Sequence, residues 1–146
     1  MGYDSQLVVF KKRVIKEAKK KSPASTITDL FTERLFIKLL PEESEEWVGQ
    51  PEEKRDARYV YTGSCRFFKQ FFEEHGIEIG NGEVVELSKE AYEDIYNGLK
   101  NELQSLTLWD VAGELDNYRI LTNAAYDLKE AKIDFETEAV LFEHDW

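Results

Sequence analysis

The chain has 146 residues, of which 42% are hydrophobic and 13% aromatic. This length supports one domain with its own core, and the aromatic content is too high for a disordered chain. The single cysteine excludes an internal disulfide framework and favours a reducing compartment. No apolar run reaches the roughly 18 residues of a membrane-spanning helix, and no signal-peptide pattern is present. We therefore predict a cytoplasmic protein without a membrane segment.

Charge is distributed unevenly along the chain. The net charge is −11, yet residues 1–40 contain nine lysines and arginines against four acids, so the acidic excess lies in residues 41–146. Seven of those basic residues fall within a basic segment at 11–21. Most of the surface should therefore repel nucleic acid, while this segment could still contact phosphates.

Two interpretations are open for residues 3–18. Residues 3–10 are apolar and partly β-branched, as in a strand, whereas residues 10–18 fit an amphipathic helix with lysines on its outer side. Pro23 breaks the chain after this segment, because proline ends a helix and restricts the residue before it.

A second helix and an acidic loop are predicted next. Ser25 or Thr28 can cap the helix, and residues 35–40 either extend it or form a buried strand. Residues 41–56 carry six glutamates together with proline and glycine, which predicts an acidic loop. Trp47 is the one aromatic residue in that loop.

Aromatic residues mark the segments that follow. Residues 58–62 predict a strand, and Thr62 or Ser64 can cap a helix that continues through four phenylalanines to residue 75. Gly76 suits the position just after that helix, because glycine tolerates a positive φ angle.

A hairpin and two helices are predicted after residue 76. Residues 77–87 fit a β-hairpin with a Gly-Asn-Gly turn, and Ser88 can cap a helix over 88–104. Ser105 or Thr107 can then cap a long helix over 106–131. Its apolar residues recur at steps of three and four: Leu108, Val111, Leu115, Tyr118, Leu121, Ala125 and Leu128.

Residues 133–142 alternate between two sides with a period of two. This pattern favours a strand over a continuation of the preceding helix, although the segment contains many good helix formers. Trp146 follows at the chain terminus, and an aromatic residue there either docks on its own core or serves as a binding anchor; we favour docking.

Candidate catalytic groups are few. Cys65 lies near a predicted helix start beside Arg66, where a thiol pKa can fall, but a lone cysteine among phenylalanines is more typical of a buried residue. His144 beside Asp145 could act as a base or bind a metal, yet it lacks the several nitrogen and sulfur ligands of a zinc site. We predict no catalytic residue, no metal site and no cofactor.

The residues together predict a single α+β domain: a small, mostly antiparallel sheet packed against three to four helices. We expect a non-enzymatic interaction, inhibitor or accessory module, of the kind a bacterium or phage encodes, that binds a basic protein partner or self-associates. The expected partner-binding residues are Glu42, Glu43, Glu45, Glu46, Trp47 and Trp146.

One alternative is a contact with nucleic acid or an anionic surface through Lys12, Lys16, Lys19 and Lys20. The basic segment is equally suited to pair with the acids of residues 42–53, in its own chain or in a second copy. A further alternative is an enzyme with an unrecognised site.

Overall fold

A four-stranded antiparallel sheet forms the centre of the molecule. The computed structural model describes residues 2–32 and 57–146. Its strands are β1 (Asp4–Lys11), β2 (Ala57–Gly63), β3 (Val84–Leu87) and β4 (Glu138–Asp145). Their order across the sheet is β2-β1-β4-β3, and each of the three pairings is antiparallel. The chain therefore places its first and last strands side by side at the centre.

Helices cover both faces of this sheet. The described residues form six: α1 (Lys12–Lys21), α2 (Ile27–Thr32), α3 (Phe67–Glu74), α4 (Lys89–Ser105), α5 (Leu108–Gly113) and α6 (Leu115–Glu130). The predicted α+β class is confirmed, with six helices in place of the three to four expected. The small antiparallel sheet is also as predicted.

The alternation of β1 explains why two cores form. Leu7 and Val9 point to one face, where they pack with residues of α3, α4 and α6. Val8 and Phe10 point to the other face, where they pack with α1 and α2. A strand buried on both sides reads as a continuous apolar run, which is what residues 7–10 show.

Both interpretations of residues 3–18 are correct, each for a different part of the segment: the strand comes first and the helix follows it. The apolar run forms β1, and the helix α1 starts directly after it at Lys12. Val14 and Ile15 are the buried residues of α1, so the basic side chains lie on its outer side. The break at Pro23 is confirmed, because α1 ends at Lys21.

Strand β4 begins later than predicted and has no solvent-facing side. The strand preference over helix is confirmed from Glu138 onward, while residues 133–137 are outside any strand and end in a turn at 135–137. Residues 139–142 are all buried, because β1 and β3 flank the strand and helices cover both its faces. Both sides of this part of the strand are therefore covered.

Local helix signals were predicted with mixed success. Ser88 caps α4 as expected, since its hydroxyl accepts a hydrogen bond from the Ala91 amide at 3.1 Å. Gly76 ends α3 with a φ of +68°, also as expected. Arg66, without a side-chain cap, precedes α3 in place of the predicted Thr62 or Ser64.

The cap of α2 is Thr26, which lies between the two predicted positions, Ser25 and Thr28. The Thr26 hydroxyl accepts from the Asp29 amide, and the Asp29 carboxylate accepts from the Thr26 amide, each at 3.1 Å. Ser25 does not serve as the cap. The Thr28 hydroxyl instead accepts from the Val84 amide at 3.0 Å and so joins α2 to the edge of the sheet.

The predicted hairpin over residues 77–87 is wrong. Residues 77–79 form no strand, and β3 pairs with β4 instead. The turn residue Gly82, with a φ of +77°, donates its amide hydrogen to the His144 carbonyl at 2.9 Å. Long-range pairing with β4 thus takes the hydrogen bonds that a local hairpin would have used.

The long helix predicted over 106–131 is helical but divided in two. Helix α5 ends at Gly113, and Glu114 has φ −139° and ψ 61°, which an α-helix does not allow. Glycine lowers helix stability by about 1 kcal/mol relative to alanine. Leu108 and Leu115 are exposed, so no core contact holds the two helices in line. Only the later part of the apolar stripe, from Leu121 to Leu128, is buried.

Candidate functional site

Helix α5 begins with a capping box. The Thr107 hydroxyl accepts a hydrogen bond from the Asp110 amide at 3.2 Å, and the Asp110 carboxylate accepts one from the Thr107 amide at 2.8 Å. The Thr107 hydroxyl also donates to this carboxylate at 2.9 Å. Because the amide and the hydroxyl of Thr107 both favour the charged form, they lower the pKa of Asp110. Local bonds stabilise α5, which has no buried residue.

Large apolar side chains are exposed on α5 and at the start of α6. Leu108 and Trp109 are each 87% exposed, and Leu115 is 60% exposed. Scattered single apolar residues are normal on a protein surface, but three of this size at neighbouring positions are not. Such exposure is typical of a surface that another molecule covers.

The sequence that carries these apolar side chains is acidic. Between Lys100 and Arg119 the sequence has no basic residue, while it contains four acids: Glu102, Asp110, Glu114 and Asp116. The last three are exposed within or beside α5. We define the α5 surface as Leu108, Trp109, Asp110, Glu114, Leu115 and Asp116. It combines acidic and aromatic residues in the way the sequence predicted for residues 42–47.

The acidic site predicted from sequence falls elsewhere. Glu42, Glu43, Glu45, Glu46 and Trp47 lie outside the described residues, so their role stays a prediction. The α5 surface was missed, because the periodicity assigned Leu108 and Leu115 to a core stripe. The signal that could have revealed it is Gly113, a poor helix former in the middle of the supposed long helix.

The last residue docks on its own molecule, as favoured from the sequence. The Trp146 amide donates to the Asn81 side-chain oxygen at 3.1 Å. The ammonium group of Lys69 lies 4.5 Å from the centre of the Trp146 ring, and the His144 ring meets it edge-on at 4.8 Å. Trp146 remains 44% exposed and lines a cleft of about 700 Å³. Its predicted part in partner binding stays a prediction.

Both ring nitrogens of His144 have hydrogen-bond partners. Nε2 lies 3.0 Å from the Ile79 carbonyl oxygen and must donate to it, because a carbonyl only accepts. Nδ1 can then accept from the Tyr3 hydroxyl at 2.9 Å. His144 is buried and joins β1, β4 and the loop before β3. The arrangement explains His144 as a structural residue.

Cys65 is buried with no exposed surface. Burial raises the pKa of its thiol to about 11, against the activated thiolate that nucleophilic catalysis requires. Cys65 also precedes α3 by two residues. The buried, structural interpretation of this cysteine therefore fits the structure better than the catalytic one.

The four lysines of the predicted alternative site lie on α1. Lys12, Lys16, Lys19 and Lys20 are exposed and line one groove of about 730 Å³ with Ile15, Pro23 and Glu86. None of the four forms a salt bridge with any residue in the described part of the chain. Their contact with nucleic acid or an anionic surface stays a prediction.

A buried carboxylate was missed by sequence reasoning. Glu138 opens β4, and its oxygens lie 3.5 Å from the Arg58 guanidinium and 3.8 Å from the Lys11 ammonium. It also accepts from the Asp134 amide at 2.9 Å. The alternation of residues 133–142 gave no sign that Glu138 would be buried among cations. In the structure it links the ends of β1, β2 and β4.

Residues 2–32 and 57–146 contain no group of three or more histidine, cysteine, aspartate or glutamate side chains placed to hold a metal ion. No helix within these ranges is both long and apolar enough to span a bilayer. The chain matches no family model, no curated protein and no solved structure.

Proposed function

We propose that this protein is a non-enzymatic interaction module that binds a basic protein through the α5 surface. The observation that carries the proposal is the exposure of Leu108 and Trp109 within residues 101–118, a stretch that contains four acids and no lysine or arginine. Tryptophan is enriched among the residues that dominate binding energy at interfaces. The carboxylates around it would select a partner rich in lysine or arginine and accelerate its association.

Charge favours a different protein over a second copy of this chain in the same pose. A symmetric dimer through the α5 surface would bring the carboxylates of Asp110, Glu114 and Asp116 against the same acidic surface of the second copy. Like charges at an interface oppose binding. A basic partner places cations at those positions. By analogy of charge alone, such a partner could be a nucleic-acid-binding protein that this module inhibits.

The predicted acidic stretch extends this proposal. Glu42, Glu43, Glu45 and Glu46 with Trp47 repeat the same combination of carboxylates and an aromatic anchor. Trp146, which is 44% exposed, is a further aromatic residue predicted to bind a partner. Each of these groups is a separate contribution that mutation can test.

The test is capture of partners from a lysate by the immobilised protein, with and without nuclease, at low and high salt. The wild-type chain is compared with Trp109→Ala and with Tyr126→Ala, which removes another exposed aromatic side chain outside the α5 surface. We expect one basic protein to be retained by wild type and Tyr126→Ala, and its affinity to fall roughly thirtyfold with Trp109→Ala. High salt should weaken the binding, since exposed charges are screened.

Unchanged capture by Trp109→Ala would refute the α5 surface. A parallel variant with Glu42, Glu43, Glu45 and Glu46 changed to glutamine separates the two acidic regions. If it leaves capture unchanged, the predicted acidic stretch has no part in binding. Retention of nucleic acid, or loss of partners with nuclease, would instead favour the lysines of α1.

A further inference from the structure

The groove beside α1 differs in charge from the rest of the molecule. Four exposed lysines and one carboxylate, Glu86, line it, whereas the chain as a whole has a net charge of −11. At 1.5 Å per residue, Lys12 and Lys20 are separated by about 12 Å along the helix. The positive region is therefore short, and it is confined to one side of one helix.

The packing of α1 holds this arrangement in place. Val14 and Ile15 anchor the helix in the core beneath the sheet, and the Lys12 amide donates to the Thr137 carbonyl oxygen at 2.9 Å. Glu86 stands on the edge strand β3. The groove thus lies between a helix and an edge strand that both pack on the same core cluster.

The groove also offers apolar surface. Ile15 and Pro23 line it, and lysine side chains add methylene stems below their ammonium groups. Its volume of about 730 Å³ falls within the range of ligand-binding clefts. A ligand that fits must therefore supply both negative charge and an apolar group.

We propose that the α1 groove binds a short acidic peptide segment of another protein, with one aliphatic side chain seated between the lysine stems. Carboxylates of the peptide pair with the ammonium groups of Lys12, Lys16, Lys19 and Lys20. The apolar contact with Ile15 and Pro23 distinguishes this ligand from nucleic acid, whose backbone carries no aliphatic side chain. A nucleic acid longer than the lysine row would also extend over acidic surface.

Fluorescence anisotropy tests this with a labelled peptide of aspartate and glutamate around one central leucine. Changing Lys16 and Lys19 to glutamine should weaken binding roughly tenfold, because two charge pairs are lost. Replacing the leucine by serine in the peptide should also cost roughly tenfold, the value of one aliphatic side chain. Lys129→Gln removes an exposed lysine from α6 and should change nothing.

Glu86→Gln gives a result that misfolding cannot imitate. Removing this carboxylate relieves repulsion with the peptide, so binding should tighten severalfold. Trp109→Ala should leave peptide binding unchanged, which separates failure of this proposal from failure of the α5 surface.

Four outcomes would overturn the proposal. The first is equal binding of the leucine and serine peptides, and the second is tighter binding of single-stranded DNA of the same charge. The third is concentration-dependent self-association lost with the Lys16 and Lys19 changes, which would make a second copy the occupant. The fourth is peptide binding that appears only when Glu42, Glu43, Glu45 and Glu46 are changed to glutamine, which would assign the groove to this chain's own acids.

Discussion

Two tryptophans of this molecule lie in contrasting surroundings, one docked on other residues and the other exposed to solvent. Trp146, at the end of β4, is held by Asn81, by the ammonium group of Lys69 and by the edge of the His144 ring. Trp109, on α5, is 87% exposed and belongs to a helix with no buried residue. The two regions differ in what surrounds their tryptophan: other residues of the molecule at the end of β4, and solvent at α5.

This difference separates stability from binding. Around the end of β4, rings and hydrogen bonds connect strands and loops that are distant in sequence, so each group contributes to folding. On α5 the bonds are local, between Thr107 and Asp110, and the apolar side chains contribute little to the core. Mutations near β4 should therefore reduce the free energy of unfolding, while mutations on α5 should spare it.

The largest effect is expected inside β4. Phe142 is fully buried and packs against Phe72 and Phe68, with ring centres 5.0 and 5.7 Å apart. Phe142→Ala should lower the free energy of unfolding by about 3–5 kcal/mol, because it removes a buried ring and leaves a cavity. Urea denaturation measures the loss. Trp109→Ala is the matched aromatic control and should change stability by less than about 0.5 kcal/mol. Comparable losses in both would erase the distinction between the two regions.

The next effect concerns the hydrogen bonds of His144. His144→Ala leaves the Tyr3 hydroxyl and the Ile79 carbonyl without their partner in a buried setting. We expect a loss of about 2–3 kcal/mol, since unpaired buried polar groups retain their desolvation cost. Tyr3→Phe removes one hydroxyl and should cost about 1 kcal/mol. A double mutant no worse than His144→Ala would show that the two side chains act through one shared bond.

Trp146 should have an intermediate effect. Trp146→Ala removes a ring that is more than half buried together with its contact to Lys69. The expected cost is about 1–2 kcal/mol, less than for a fully buried ring. Thermal unfolding of Trp146→Ala and of Lys69→Met would measure the ring and the cation contact separately. No change in either variant would mean that the terminus is not docked in solution.

The elements that sequence predicted well are those that local residues specify. Ser88 caps its helix because its hydroxyl and the Ala91 amide are three positions apart. Gly76 ends its helix because glycine readily adopts the positive φ of the residue that follows a helix. The β3 pairing could not be predicted, because its partner β4 is more than fifty residues away. Likewise, burial of Glu138 depends on Arg58 and Lys11, which long-range strand pairing brings together.

The candidate surfaces show the same limit. The spacing of Lys12, Lys16, Lys19 and Lys20 predicted a shared helix face, and these residues do line one groove. The α5 surface escaped prediction because a periodic stripe indicates burial only if something covers it. At Leu108 and Leu115 nothing in the described part of the chain does, so tertiary structure decided what periodicity could not.

The smallest expected effect concerns the capping box at the start of α5. Because hydrogen bonds from Thr107 lower the pKa of Asp110, the capping box is fully formed above the ordinary carboxyl pKa of 3.8. Its contribution is lost as the pH falls through the lowered pKa. Acid should therefore reduce amide protection in α5 with the titration of Asp110, as followed by NMR.

Thr107→Val removes the hydroxyl but keeps the amide and the branched shape, so the pKa of Asp110 should rise part of the way toward 3.8. The free energy of global unfolding at neutral pH should stay unchanged in Thr107→Val, because α5 has no buried residue. A large global loss in this variant would mean that α5 belongs to the cooperative core and that its exposed tryptophan is not available to a partner at low cost.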